Sequence, residues 1–284
     1  DENLRNKLRD YTYSYSSLMK ILACPFLFYH QYIMGINPPG FMDDDEKINM
    51  QMGTFIHQFL QQLTTGRKDR LNDWEGLFDE LWESDENAEI RDRDGINIHR
   101  LNAKILLKEI DEDERESGRR IIFADNAVSC EETFSGTIAG RYKISGRSDR
   151  VARISGRIEV IDFKYSKKKS RFNMPARTTV LERFRDKGIL HPAAQLIIYR
   201  HFIRDVDGAF FYFLKETSQD RVMALPEDAS AAAEELMSAI KDRLDAIIGG
   251  SELAPDYDSS ECEYCLFQSL CGQEGYYKAS RGNT

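Results

Sequence analysis

The stretch from Gly146 to Lys164, GRSDRVARISGRIEVIDFK, decides the fold. Two runs rich in β-branched and apolar residues flank Ser155-Gly156, so the segment reads as an antiparallel hairpin closed by a two-residue turn. In that register Asp149 stands opposite Asp162, with Cβ atoms about 5 Å apart. Like charges opposed in a sheet destabilise it, and Asp162 follows Val160-Ile161, a run with the composition of a buried strand. A divalent cation resolves both costs. Oxygen ligands converging from two strands suit Mg²⁺ or Mn²⁺, which keep several waters and bind through one or two carboxylates plus phosphate. Lys164 lies two residues beyond Asp162 and therefore on the same strand face. A metal beside a lysine suits phosphodiester hydrolysis, because the metal activates a water and the ammonium orients it or neutralises developing charge. D-x-K is common by itself, and a salt-bridged surface hairpin is the bland alternative.

Around the hairpin the pattern changes twice. Before Gly118 the chain reads as helices. Residues 14 to 34 give two short ones, with serines 14, 16 and 17 as caps, Pro25 as a break and Gly35 as a stop. Asn37 to Lys47 reads as a loop, Met50 to Thr64 as a helix with one apolar stripe, Leu71 to Trp82 as another, and Ile98 to Glu116 as a third. After Gly118, strands are expected at Arg120 to Phe123, Ala127 to Ile138, Arg141 to Ile144, Arg147 to Ile154 and Arg157 to Tyr165. A polar stretch, Ser166 to Lys187, precedes a helix from His191 to Phe202, a strand from Gly208 to Leu214, an edge strand from Arg221 to Leu225 and a helix from Ser230 to Ile248. The expectation is one α/β domain over 1–284, with a helical part at 14–118, a sheet core at 119–225 and a C-terminal helix and cysteine tail at 226–284.

Composition excludes several classes. The 284 residues carry 48 acidic and 39 basic side chains, a net charge of −9, with 31% charged and 41% hydrophobic residues, which reads as a soluble globular chain. Apolar runs such as Ala209 to Leu214 are far shorter than the ~20 residues of a membrane helix. No basic-then-apolar leader opens the chain, so the reading is cytoplasmic. The start at Asp1 without methionine suits either a domain cut from a longer protein or a cloning scar. The acidic balance argues against coating nucleic acid with the whole surface, but a local basic groove is available. Arg141, Lys143, Arg147, Arg150, Arg153 and Arg157 form one basic cluster, and Lys164, Lys167, Lys168, Lys169 and Arg171 another.

His57 sits roughly 130° from the apolar stripe of its helix, off the core side, with Gly53 one turn earlier on the same face. Gln195 and Tyr199 share a helix face four residues apart. Cys262-x2-Cys265-x5-Cys271 is metal-site spacing in a tail with little core of its own. Cys24 is the distant candidate for a fourth ligand, and Cys130 a small strand side chain outside the set. Four thiolates hold either zinc or an iron–sulfur cluster, and spacing does not separate the two.

Taken together, SYSSLMKILACPFLFYHQYIMGI, GTFIHQF, GRSDRV, VIDFK, AQLIIY and CEYCLFQSLC, in that order from about residue 14 to 271, resemble the PD-(D/E)XK nuclease superfamily. Within it the resemblance is to RecB-like nucleases with a four-cysteine iron–sulfur site. It implies a restriction-endonuclease-like mixed sheet flanked by helices. It also implies His57, Asp149, Asp162 and the backbone carbonyl of Phe163 as ligands of Mg²⁺ or Mn²⁺, and Lys164 as the catalytic lysine. Gln195 and Tyr199 correspond to the motif beside the active site, and Cys24, Cys262, Cys265 and Cys271 to the ligands of a [4Fe–4S] cluster. Ser148 stands where the motif has its nominal proline. The opening CPFLFY and the helix GTFIHQF look more like the nuclease domain of AddB-type helicase–nuclease subunits than like the compact CRISPR-associated four-cysteine exonucleases. The expected activity is a DNA exonuclease acting on single-stranded ends in repair and recombination, with Arg147, Arg150, Lys167, Lys168, Lys169 and Arg171 tracking the strand and a helicase subunit or domain as partner. The competing readings are a non-catalytic DNA-end-binding scaffold and an iron–sulfur redox protein.

Overall fold

A computed structural model describes residues 2–36, 44–65, 69–167, 172, 177–250, 253–256, 262, 265 and 267–272. Helices α1 (Glu2–Asp10), α2 (Tyr15–Ala23) and α3 (Pro25–Phe28) open the chain. They are followed by α4 (Asp44–Thr65), α5 (Asp69–Asn72), α6 (Trp74–Glu83), α7 (Ala88–Arg91) and α8 (Ile96–Ser117). Strands β1 (Ala127–Ile138), β2 (Tyr142–Ile154) and β3 (Arg157–Lys164) form a meander. Helices α9 (Arg177–Lys187) and α10 (Ala193–Phe202) then cross over to β4 (Gly208–Phe213), followed by β5 (Val222–Ala224), α11 (Glu227–Ala231), α12 (Ala233–Gly249) and α13 (Gln268–Cys271). The sheet runs β1-β2-β3-β4-β5, parallel only between β3 and β4. This is the expected mixed sheet flanked by helices, a restriction-endonuclease-like α/β fold. No helix among the described residues is long and apolar enough to cross a membrane.

Period-two alternation gives the sheet two apolar faces. Val151, Val160, Ala209, Phe211 and Phe213 pack with Leu196, Ile197, Leu236 and Ile240 of α10 and α12 on one side. Ala152, Ile154, Ile161, Phe163 and Phe210 pack with Phe55, Phe59, Phe78 and Leu107 of α4, α6 and α8 on the other. Strand β4 is buried at every position, as a strand covered on both faces must be. Ser14 caps α2 in a reciprocal box with Ser17, and the Asp73 carboxylate caps α6 by accepting from Gly76 N–H.

Four expectations change. Arg141 to Ile144 and Arg147 to Ile154 are one continuous strand, because Ser145 and Gly146 stay paired to Ser135 and Phe134. Of the expected loop at Asn37 to Lys47, residues 37–43 lie outside the described set, and α4 begins at Asp44. The polar stretch after Ser166 contains α9, which buries Val180, Leu181 and Phe184. Arg120 to Phe123 is not a strand. Its backbone is satisfied by side chains instead: Ile122 and Phe123 N–H donate to the buried Glu114 carboxylate at 2.8 and 3.1 Å, and Ile121 and Ile122 carbonyls accept from the Arg150 guanidinium at 2.8 and 3.3 Å.

Candidate active site

The β2–β3 hairpin places the acids. Its ladder runs from Ile154↔Arg157 to Arg150↔Ile161 and continues one step to bring Asp149 beside Asp162. There the backbone pairing gives way to a side chain, and Phe163 N–H donates to Asp149 Oδ2 at 2.7 Å. From α4, His57 Nδ1 approaches Asp149 Oδ1 to 3.4 Å. His57 is a third exposed, as its position off the apolar stripe requires. A Cβ at Gly53 would lie 3.9 Å from Tyr165 Cβ, so this glycine faces the end of β3 without being demanded by a clash.

Asp162 is buried, at 3% exposure. Its Oδ1 accepts from Gln195 Nε2 at 2.8 Å, while Oδ2 meets the Lys164 ammonium as an ion pair and has no oriented hydrogen bond. Burial raises the Asp162 pKa to about 6; Lys164 opposes the shift and Asp149 adds to it. For His57, burial favours the neutral ring, but the hydrogen bond and charge of Asp149 outweigh it and raise the pKa. Lys164 Nζ also donates to Gln195 Oε1 at 3.4 Å. Gln195 Nε2 is shared with the Tyr199 hydroxyl at 2.8 Å, and that hydroxyl donates to the Arg147 carbonyl at 3.0 Å. Tyr199 is therefore a buried brace that fixes Gln195 against β2, not a group open to a substrate.

Glu131 joins this set without having been anticipated. It lies on β1 between Cys130 and Glu132, which pair with Arg150 and Ser148, so it stands across from Asp149. Glu131, Asp149 and Asp162 thus form a row of acids across three adjacent strands. Glu131 has a left-handed φ of 55°, its carboxylate pairs with exposed Arg147, and burial raises its pKa. The turn at Ala139-Gly140 was the signal that could have revealed it, by the same register logic that paired Asp149 with Asp162.

The expected DNA-contacting residues divide. Arg147 and Lys167 are exposed. Lys168, Lys169 and Arg171 lie outside the described residues. Arg150 corrects the expectation. It is 1% exposed, its Nη2 donates to Leu60 O at 3.1 Å, and its Nη1 is committed to the carbonyls of Ile121 and Ile122. Its guanidinium braces the interior and cannot reach a phosphate.

Cys24, at the α2–α3 junction, is buried with Leu27 and Phe267, and Cys265 packs against them. Cys262 is also buried, and its Sγ donates to the Asp256 carbonyl at 3.3 Å. The Cys265 thiol pKa is raised by burial first, with Cys24 and Cys271 adding to the shift. Cys130 lies elsewhere, with its Sγ 2.8 Å from Thr64 Oγ1. As the side chains stand, no three His, Cys, Asp or Glu among the described residues close on a common point as metal ligands. At the acidic row the donor chemistry fits a hard divalent cation, since the carboxylates of Asp149 and Asp162 and an imidazole meet there and two buried carboxylate oxygens of the row, Asp162 Oδ2 and Glu131 Oε2, have no oriented hydrogen bond.

Comparison with known proteins agrees with this fold. A structure solved as "Putative exonuclease" from Eubacterium rectale superposes with a TM-score of 0.54 at 16% identity, covering 95% of this chain and 90% of that one. The structure of SSO0001, at 17% identity, covers 84% of this chain and 98% of its own, but its TM-score of 0.30 is too low to argue from. A search of curated protein sequences finds no match. The family model of the PD-(D/E)XK nuclease superfamily matches residues 12–272, which takes in the hairpin, the histidine helix and the cysteine tail, and the chain belongs to that superfamily.

Proposed function

We propose that the chain is a divalent-metal-dependent deoxyribonuclease that digests DNA from its ends. The observation that carries this reading is the buried carboxylate of Asp162, held between Lys164 and Gln195 and aligned with Asp149 and His57. His57, Asp149, Asp162 and the Phe163 carbonyl would hold Mg²⁺ or Mn²⁺. When bound, the cation lowers the pKa of an attacking water and offsets charge on the phosphate. Lys164, fixed by Asp162 and Gln195, orients that water or hydrogen-bonds the oxygen on which charge develops. Gln195 holds the lysine and the carboxylate in register, and Tyr199 holds Gln195. A pure DNA-binding scaffold has no use for a row of acids whose opposition costs stability.

The AddB-like setting, with a helicase partner in recombination, is carried by the resemblance of CPFLFY and GTFIHQF. The packing of Cys24 and Cys265 around Phe267, with Cys24 and Cys271 both acting on the Cys265 thiol, favours a four-thiolate site completed by Cys262, with [4Fe–4S] as its content and Zn²⁺ as the alternative. Brown anaerobic protein distinguishes the two.

Labelled linear and circular single-stranded DNA, incubated with Mn²⁺ and with EDTA, tests the enzyme reading. The expected result is Mn²⁺-dependent loss of the linear strand with survival of the circle. Equal digestion of circles overturns the end requirement. Failure to cut any DNA with Mn²⁺ or Mg²⁺ overturns the nuclease.

A further inference from the structure

The acids lie in the middle of the sheet, and the next strand over supplies a cation that the hydrolytic reading does not use. Leu214 N–H donates to the Lys164 carbonyl at 2.9 Å, extending the parallel β3–β4 pairing by one step. The following residue, Lys215, therefore leaves the sheet one strand spacing, about 4.8 Å, from the strand that bears Lys164. Its Nζ donates to Asn49 Oδ1 at 3.1 Å and lies 3.9 Å from the centre of the Tyr165 ring. Tyr165 directly follows Lys164 and faces Gly53, one turn before His57 on α4. The three residues thus sit on the rim of the catalytic cluster, on the side opposite the Arg147–Glu131 pair.

What distinguishes Lys215 is what holds it. Among the described residues it forms no ion pair, and its ammonium meets a neutral amide and an aromatic face. Half-buried in a chain of net charge −9, it loses hydration without gaining a carboxylate, and burial lowers its pKa. An acid in contact would cancel its charge; a ring and an amide fix its position and leave the charge available for an anion.

We propose that Lys215 binds the phosphate of the nucleotide adjacent to the scissile one on a DNA strand, with Tyr165 and Asn49 as positioning residues for its ammonium. The inference rests on the nuclease reading and adds a substrate subsite to it. The direction it gives is a strand crossing the sheet edge from the Arg147 side, over Asp149 and Asp162, towards Lys215.

The test is the affinity of the full chain for fluorescein-labelled single-stranded DNA in EDTA, measured by anisotropy over a series of NaCl concentrations. The variants are Lys215→Met, which keeps the stem and removes the charge, and Lys215→Arg, with Lys108→Ala on the exposed face of α8 as control. Lys215→Met is expected to raise Kd by about 3- to 10-fold and to reduce the slope of log Kd against log salt by about 0.7, the share of one phosphate on a single strand. Lys215→Arg should restore most of both, and Lys108→Ala should change neither. Unaltered affinity and slope in Lys215→Met, with wild type binding normally, would overturn the subsite while leaving the nuclease standing. So would a Lys215→Arg variant as weak as Lys215→Met, because the charge would then not matter. Wild-type protein that neither binds nor cleaves DNA would instead overturn the nuclease reading itself.

Discussion

Asp149 and Arg150 are neighbours on β2, both charged, and they belong to different parts of the molecule. Asp149 faces His57 and the open end of the sheet, where Asp162, Lys164 and Gln195 meet. Arg150 points to the other face, where with Glu114 it supplies the hydrogen bonds that the 120–125 segment would otherwise take from a strand. The first region holds opposed charges that cost the sheet stability and that, on the proposed function, would hold a cation. The second holds charges whose every partner is internal. What separates them is one step in the period-two alternation of a strand, which moves a side chain from chemistry to structure.

The largest effect is expected at the acids. Asp162→Ala should abolish Mn²⁺ binding in calorimetric titration and with it cleavage, while the thermal midpoint of the metal-free protein holds or rises, because a buried opposed charge is gone. A destabilised variant that still binds Mn²⁺ would place Asp162 with Arg150, as structure.

At the other side, Arg150→Ala should cost about 3–5 kcal/mol in urea unfolding, since it strands three buried carbonyls and removes a buried cation from beside Glu114. A loss below about 1 kcal/mol would mean that the 120–125 segment holds itself and that the guanidinium is dispensable.

A smaller effect separates the regions by pH. The Asp162 carboxyl has a folded pKa of about 6 against an ordinary 3.8, so between those values the folded state holds a proton that the unfolded state lacks. Stability therefore falls as pH rises through that window. His57 acts in the same direction: its raised pKa contributes stability present below its ordinary value of 6.5 and lost as pH climbs through the folded value. Metal-free protein should accordingly melt at progressively lower temperature from about pH 4 to pH 7, and Asp162→Asn should flatten the lower part of that slope. A slope unchanged in Asp162→Asn would assign it to other groups.

How much of this was legible in the sequence follows from the range of the interactions. The hairpin register was readable because a two-residue turn fixes it locally, and His57 because a helical stripe has a defined off side. Glu131 was equally local, one turn away across Ala139-Gly140, and was missed because β2 was read as two strands. Arg150 was misread because the basic residues of β2 were grouped along the chain; alternation puts it with Ala152 and Ile154 on the face that packs against α4 and α8. The loss of a strand at Arg120 to Phe123 could not be read at all. It depends on Arg150 and Glu114 supplying partners from distant points in the chain, which no local propensity records.

Whether the acidic row and Lys164 act together as a hydrolytic site can be read from one paired measurement. Single-turnover cleavage of labelled single-stranded DNA in Mn²⁺ is compared between wild type and Lys164→Ala, with DNA affinity determined in EDTA on the same preparations. Lys164→Ala is expected to cleave about 10²- to 10⁴-fold more slowly and to bind DNA within a few-fold of wild type, the signature of an interaction made in the transition state. Cleavage by Lys164→Ala at the wild-type rate would contradict that joint role.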